Sequence, residues 1–138
     1  MDNMKRRDIK VYVAGPISGV DVLHTLANID HGETWTAKVF QLGFSPFPVF
    51  SDHTFVQRVR PIPAIRDVYQ YSLAWLAVAD AVFLIPGWEK STGALAEKKA
   101  AEALSLPIFI DLVDMCAWAD LMIKPGNDIE QQLARSDD

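Results

Sequence analysis

Short apolar runs, separated by longer stretches of helical periodicity, organise this chain. Residues 10–14, KVYVA, follow a charged leader and read as a buried central strand. Residues 79–85, ADAVFLI, form a second apolar strand closed by Pro86 and Gly87, and residues 107–112, PIFIDL, form a third. The aromatic segment 44–50, FSPFPVF, predicts a short strand at its start and a loop from Pro46 onward, since proline is poorly tolerated in a central ladder. A helix is predicted over 30–42, where Ile29, Trp35, Val39 and Leu42 give a loose stripe and Gly43 a natural stop. Ile65, Val68, Ser72, Trp75, Leu76 and Ala79 repeat at helical spacing over 64–79. Residues 91–104, STGALAEKKAAEAL, are rich in strong helix formers. A last helical stretch lies around 115–123, and residues 51–63 read as an irregular, lid-like loop. The ends, 1–8 and 127–138, are expected to fray.

Strands that are apolar on both faces and alternate with helices predict a parallel sheet covered on each side. The expected fold is a single doubly wound α/β domain spanning 1–138, with ligands bound beyond the C-terminal strand ends. At 138 residues the chain is long enough for one well-buried core. Its net charge of −5, with no long Lys/Arg cluster, disfavours a duplex nucleic-acid partner. A small anion held by backbone N–H groups stays compatible with that charge. Cys116 is the only cysteine, and His24, His31 and His53 lack metal-ligand spacing, so no disulfide framework, metal or cofactor is expected. No apolar run approaches a membrane span, and the charged start MDNMKRRDIK lacks a secretion signal. The expectation is a soluble, cytoplasmic protein.

Two strand ends carry the candidate chemistry. After the first strand come Gly15, Pro16, Ile17, Ser18 and Gly19, a loop with little side chain. Such a loop either solves a tight-turn problem or lets a ligand approach the backbone. After the second strand, PGWEKSTGALAEKK leads through Trp88 into a helix start near Ser91. Ser91 is a natural N-cap, and the same helix start can hold a phosphate. On that helix Gly93, Ala96, Ala100, Ala103 and Leu104 make a small packed face, with Glu97 about 60° from its middle and Lys98 toward water. Glu97 is then either a carboxylate facing a pocket or a solvated residue paired with neighbouring lysines.

VYVAGPISG, LAWLAVADAVFLIPGW, STGALAE and LSLPIF, in this order over residues 9–111, resemble the nucleoside 2-deoxyribosyltransferase superfamily. The similarity is greatest to its small nucleoside 5′-monophosphate N-glycosidases and their phage and bacterial relatives. The resemblance implies a flavodoxin-like or Rossmann-like fold and a homodimer whose partner helps complete the site. It implies Glu97 as nucleophile at the anomeric carbon, with Tyr12 contacting that carboxylate. It also implies that Gly15, Ile17, Ser18 and Gly19 wrap the sugar and 5′ end, and that Ser91 and Gly93 bind the 5′ group. The bare loop would then exist to admit a sugar phosphate.

One position departs from that pattern. Where the family carries an aspartate eight residues before Asp80, this chain has Ser72, which cannot donate a proton as a carboxylic acid does. Asp52 or His53 could supply the acid if the 51–63 loop folds over the site, and Trp88 could stack on a base or pack under its loop. The expected activity is hydrolysis of a nucleoside 5′-monophosphate. Base exchange and a non-catalytic nucleotide-binding module are the alternatives. Apolar residues of 113–122, Trp118 among them, are candidates for a subunit contact or for packing on the sheet.

Overall fold

The computed structural model describes residues 4–47 and 49–123, and the tail expected to fray lies outside the described residues. The strands are β1 (Lys10–Ala14), β2 (Ser45–Phe47), β3 (Ala81–Leu84) and β4 (Ile108–Phe109). The helices are α1 (Val22–Gln41), α2 (Asp52–Val56), α3 (Ile65–Leu76), α4 (Thr92–Ala103) and α5 (112–123). All strands are parallel, in the order β2-β1-β3-β4, which makes this a small doubly wound α/β sheet. Apolar residues fill both faces of the two central strands, and Val11–Ala14 and Ala81–Ile85 are all buried. Among the described residues, no helix is long and apolar enough to cross a membrane.

Alternation along the strands sorts the helices onto the two faces. Phe83 and Phe109 are registered partners; Trp35 of α1 packs on Phe83 at 5.7 Å, and Trp118 of α5 on Phe109 at 5.4 Å. These two helices therefore share one face. Tyr12, one residue out of phase with Val13 and Phe83, points to the other, where α3 and α4 pack side by side. Met115 and Ala119 anchor α5 in the core, so Trp118 packs on the sheet of its own chain.

Several boundaries differ from the sequence expectation. Helix α1 begins at Val22 rather than residue 30, because Asp21 caps it by accepting from the His24 amide at 2.9 Å. Its first turns carry Val22, Leu23 and Leu26 exposed, so no apolar stripe marks them. Strand β2 runs through Pro46, since a sheet edge tolerates a residue with no N–H. Within the segment expected to be irregular, Asp52–Val56 is a short helix. Gly43 ends α1 as expected, with φ of +99°. Residues 5–8 do not fray: Arg6 pairs with Asp120 at 3.0 Å and donates to the Leu42 carbonyl at 2.9 Å.

Candidate functional site

The chain leaves β1 toward β2 on one side and β3 toward β4 on the other, so the connections after β1 and β3 diverge. This is the switch point at which doubly wound sheets bind ligands. Helix α1 holds both connections in place. Asn28 donates to the Ile17 carbonyl at 3.2 Å, Thr25 Oγ1 accepts from the Gly19 amide at 2.9 Å, and His31 Nε2 lies 3.2 Å from the Pro86 carbonyl. Between the two turns and α3 opens a cavity of about 1100 Å³.

Glu97 lines this cavity, although only 8% of its surface is exposed. One carboxylate oxygen, Oε2, accepts from the hydroxyl of fully buried Tyr12. Burial pushes the Glu97 carboxyl up to about 7, because leaving water disfavours its charged form, and the Tyr12 hydrogen bond pulls in the opposite direction. The result is a carboxyl that changes charge near neutral pH inside a pocket. Lys98 is engaged elsewhere, with Glu102 at 3.0 Å, so Glu97 is not a solvated partner of that lysine.

The expected face of α4 is corrected. Ala94, Glu97 and Ala101 are buried, whereas Ala96, Ala103 and Leu104 are exposed. The buried face is turned by about 100° from the Ala/Gly stripe. Glu97 thus sits within the packed face rather than at its margin. Alanine and glycine are small enough to be indifferent to burial, so they mark the face poorly.

The remaining candidates divide into those the cavity gathers and those it does not. Gly15, Ile17, Ser18, Ser72, Ser91 and Gly93 line it. Ser91 also caps α4, accepting from the Ala94 amide at 3.0 Å. The amides of Thr92 and Gly93 find no acceptor among the described residues. They carry the positive end of the helix dipole. Gly19 and Trp88 do not line the cavity. A Cβ on Gly19 would lie 2.5 Å from that of His24, so this glycine lets the turn meet α1. Trp88 packs against the core, with Lys98 Nζ 6.0 Å from its ring centre. The side chains of Asp52 and His53 lie outside the described residues.

Gly15 also has a packing cause, since a Cβ there would come within 2.3 Å of Ile85. The bare first loop is therefore required by the contacts between two strand ends and a helix start, whatever it binds. Gly93 differs: the nearest neighbour of an added Cβ would be the Tyr69 hydroxyl, at 3.6 Å, an ordinary contact. Sequence reasoning missed Tyr69, Tyr71, Lys90 and Arg60 as cavity residues. The helical spacing of Ile65, Val68 and Ser72 is the available signal, since it puts these cavity residues on one side of α3 with Tyr69 next to Val68. Ile65 is in fact 78% exposed, at the cavity rim.

A nearly buried carboxyl at the switch point, facing an open cleft beside a helix start, defines a small α/β domain with one acidic side chain in its cavity among the described residues. The chain belongs to the family described as "Domain of unknown function (DUF4406)", which it matches over residues 9–110. The match takes in all four strands, both turns and Glu97. No curated protein and no solved structure matches the chain.

Proposed function

We propose that this protein hydrolyses the N-glycosidic bond of a nucleoside 5′-monophosphate, with Glu97 as nucleophile. The observation that carries the reading is the Glu97 carboxyl, held by Tyr12 and facing a cavity large enough for a nucleotide. The resemblance to nucleoside 2-deoxyribosyltransferases supports the same assignment. Ionised Glu97 attacks the anomeric carbon, the C–N bond breaks, and its electron pair leaves with the base, which takes up a proton. Water then attacks the glycosyl ester at the same carbon, gives up a proton, and returns Glu97 as a carboxylate. The 5′-phosphate is assigned to the start of α4, where the Thr92 and Gly93 amides, Ser91 and Lys90 border the cavity.

Ser72 favours a second reading. It lines the cavity at the position where the resemblance implies an aspartate, and Glu97 is the only carboxylic acid among the described lining residues. A nucleotide-binding module without chemistry fits that feature. One experiment separates the readings: incubate the protein with ribo- and deoxyribonucleoside 5′-monophosphates and the free nucleosides, and detect released base by chromatography. Release from monophosphates is the expected result, and adding a second free base distinguishes hydrolysis from base exchange. No release from any member, with nucleotides raising the unfolding temperature, would replace the enzyme with the binding module.

Gly93 gives a narrower prediction. Gly93→Ala is expected to leave stability within about 0.5 kcal/mol, since the methyl meets only ordinary contacts. The same methyl projects between the Tyr69 hydroxyl and the start of α4, so KM for a monophosphate should rise about tenfold, or about 1.4 kcal/mol. Thermal unfolding and steady-state kinetics on one preparation check both halves.

A further inference from the structure

Tyr12 is fixed by more than its strand. It is registered opposite Phe47 across the β1–β2 pair, and the two rings lie 5.8 Å apart, 18° from parallel. Phe47 stacks in turn on Trp75 of α3, at 4.9 Å and 21°. The three rings form one continuous stack from the buried phenol beside the cavity to an indole that is 46% exposed. Offset stacking of this kind restrains ring tilt as well as burying area. The hydroxyl oxygen lies on the Cβ–Cγ axis, so spinning the ring leaves it in place, whereas rotation about Cα–Cβ carries ring and oxygen sideways; a ring stacked on the face limits that swing.

We propose that Phe47, braced by Trp75, is a positioning residue that holds the Tyr12 ring so that its hydroxyl stays on the Glu97 carboxylate. The inference rests on the role given to Glu97 above, and assigns a task to a residue that does not line the cavity. Pro46 supports it, since its fixed φ stiffens the edge strand just before Phe47. Helix α3 supplies Trp75 to the stack and Val68, Tyr69 and Ser72 to the cavity. The element that walls the ligand site thus also braces the nucleophile's partner.

The charge state of Glu97 reports the alignment directly. The other titratable groups described in the cavity are Lys90, Arg60, Tyr69 and Tyr71, and none belongs to the stack. Substituting Phe47 leaves them in place. A hydrogen bond donated to the ionised carboxyl favours that form, so weakening it moves the midpoint upward. The experiment is a ¹³C-carboxyl NMR titration of glutamate-labelled protein, with the Glu97 signal assigned by its loss in Glu97→Gln.

Tyr12→Phe should raise the midpoint by roughly one pH unit. Phe47→Leu should raise it by roughly half as much, and Phe47→Tyr, which keeps the ring, should restore the wild-type value. Should Phe47→Leu not unfold cooperatively, Trp75→Leu at the half-exposed end carries the test, with an expected rise of roughly a few tenths of a unit. An unmoved midpoint in the folded stack variant, or in Tyr12→Phe, overturns the proposal. The titration is independent of turnover. A protein that releases no base yet shows these shifts would lose the proposed reaction and keep the positioning role.

Discussion

Glu97→Gln is expected to lower base release from a nucleoside monophosphate by about 10⁴-fold or more, the loss typical of removing a nucleophile. That factor corresponds to about 5 kcal/mol of transition-state stabilisation. The substitution keeps the shape of the side chain and leaves an amide oxygen to accept from the Tyr12 hydroxyl. In the proposed reaction it removes the negative charge that would face a developing oxocarbenium ion, and the oxygen that would form a glycosyl ester. The two turns and the start of α4 are untouched, so nucleotide affinity should stay close to wild type. Single-turnover rates and equilibrium binding, measured on the same substrate, separate the two quantities. Turnover at the wild-type rate in the glutamine variant would end the assignment of Glu97 as nucleophile.

The same substitution should change how stability depends on pH. In the folded protein Glu97 titrates at about 7, against an ordinary value of 4.5. Between those values the folded state holds a proton that the unfolded chain has released. Unfolding then sheds a proton, and stability falls as pH rises through this window, levelling off above the folded value. The full loss is at most about 3 kcal/mol for a shift of this size. Glu97→Gln cannot ionise and escapes it. Urea unfolding should therefore give the two proteins similar stabilities near pH 4.5, and the variant an advantage of up to about 3 kcal/mol near pH 8. Asp21, whose carboxyl is held low by hydrogen bonds from His24, titrates in both proteins and cancels in the difference. Parallel curves for the two proteins across the whole range would mean that the carboxyl is not desolvated.

Much of this architecture was legible because burial on both faces leaves a simple mark. β1 and β3 are continuous apolar runs ended by Gly15 and by Pro86 and Gly87, and α4 announces itself by composition and by Ser91. The elements that were misjudged depend on neighbours far away in sequence. The first turns of α1 carry exposed Val22, Leu23 and Leu26, yet they supply Thr25 and Asn28, which hold the first loop. Pro46 breaks a strand only if that strand has partners on both sides, and β2 has one. Among the candidate site residues, the Tyr12–Glu97 pair was named through family resemblance, and neither residue alone distinguishes itself from an ordinary core tyrosine or surface glutamate.

The chain's own pattern settled that a parallel sheet would form and that glycine-bearing turns would follow β1 and β3, because continuous apolar runs and the glycines that end them are local properties of the sequence. Tertiary structure alone decided which way α4 turns, that Gly15 is demanded by Ile85, and that α3 lends a wall to the cavity. It also set the acidity of Glu97, which depends on how much water and how many donors surround one carboxyl. Desolvation is a property of the assembled neighbours and is not written at any single position.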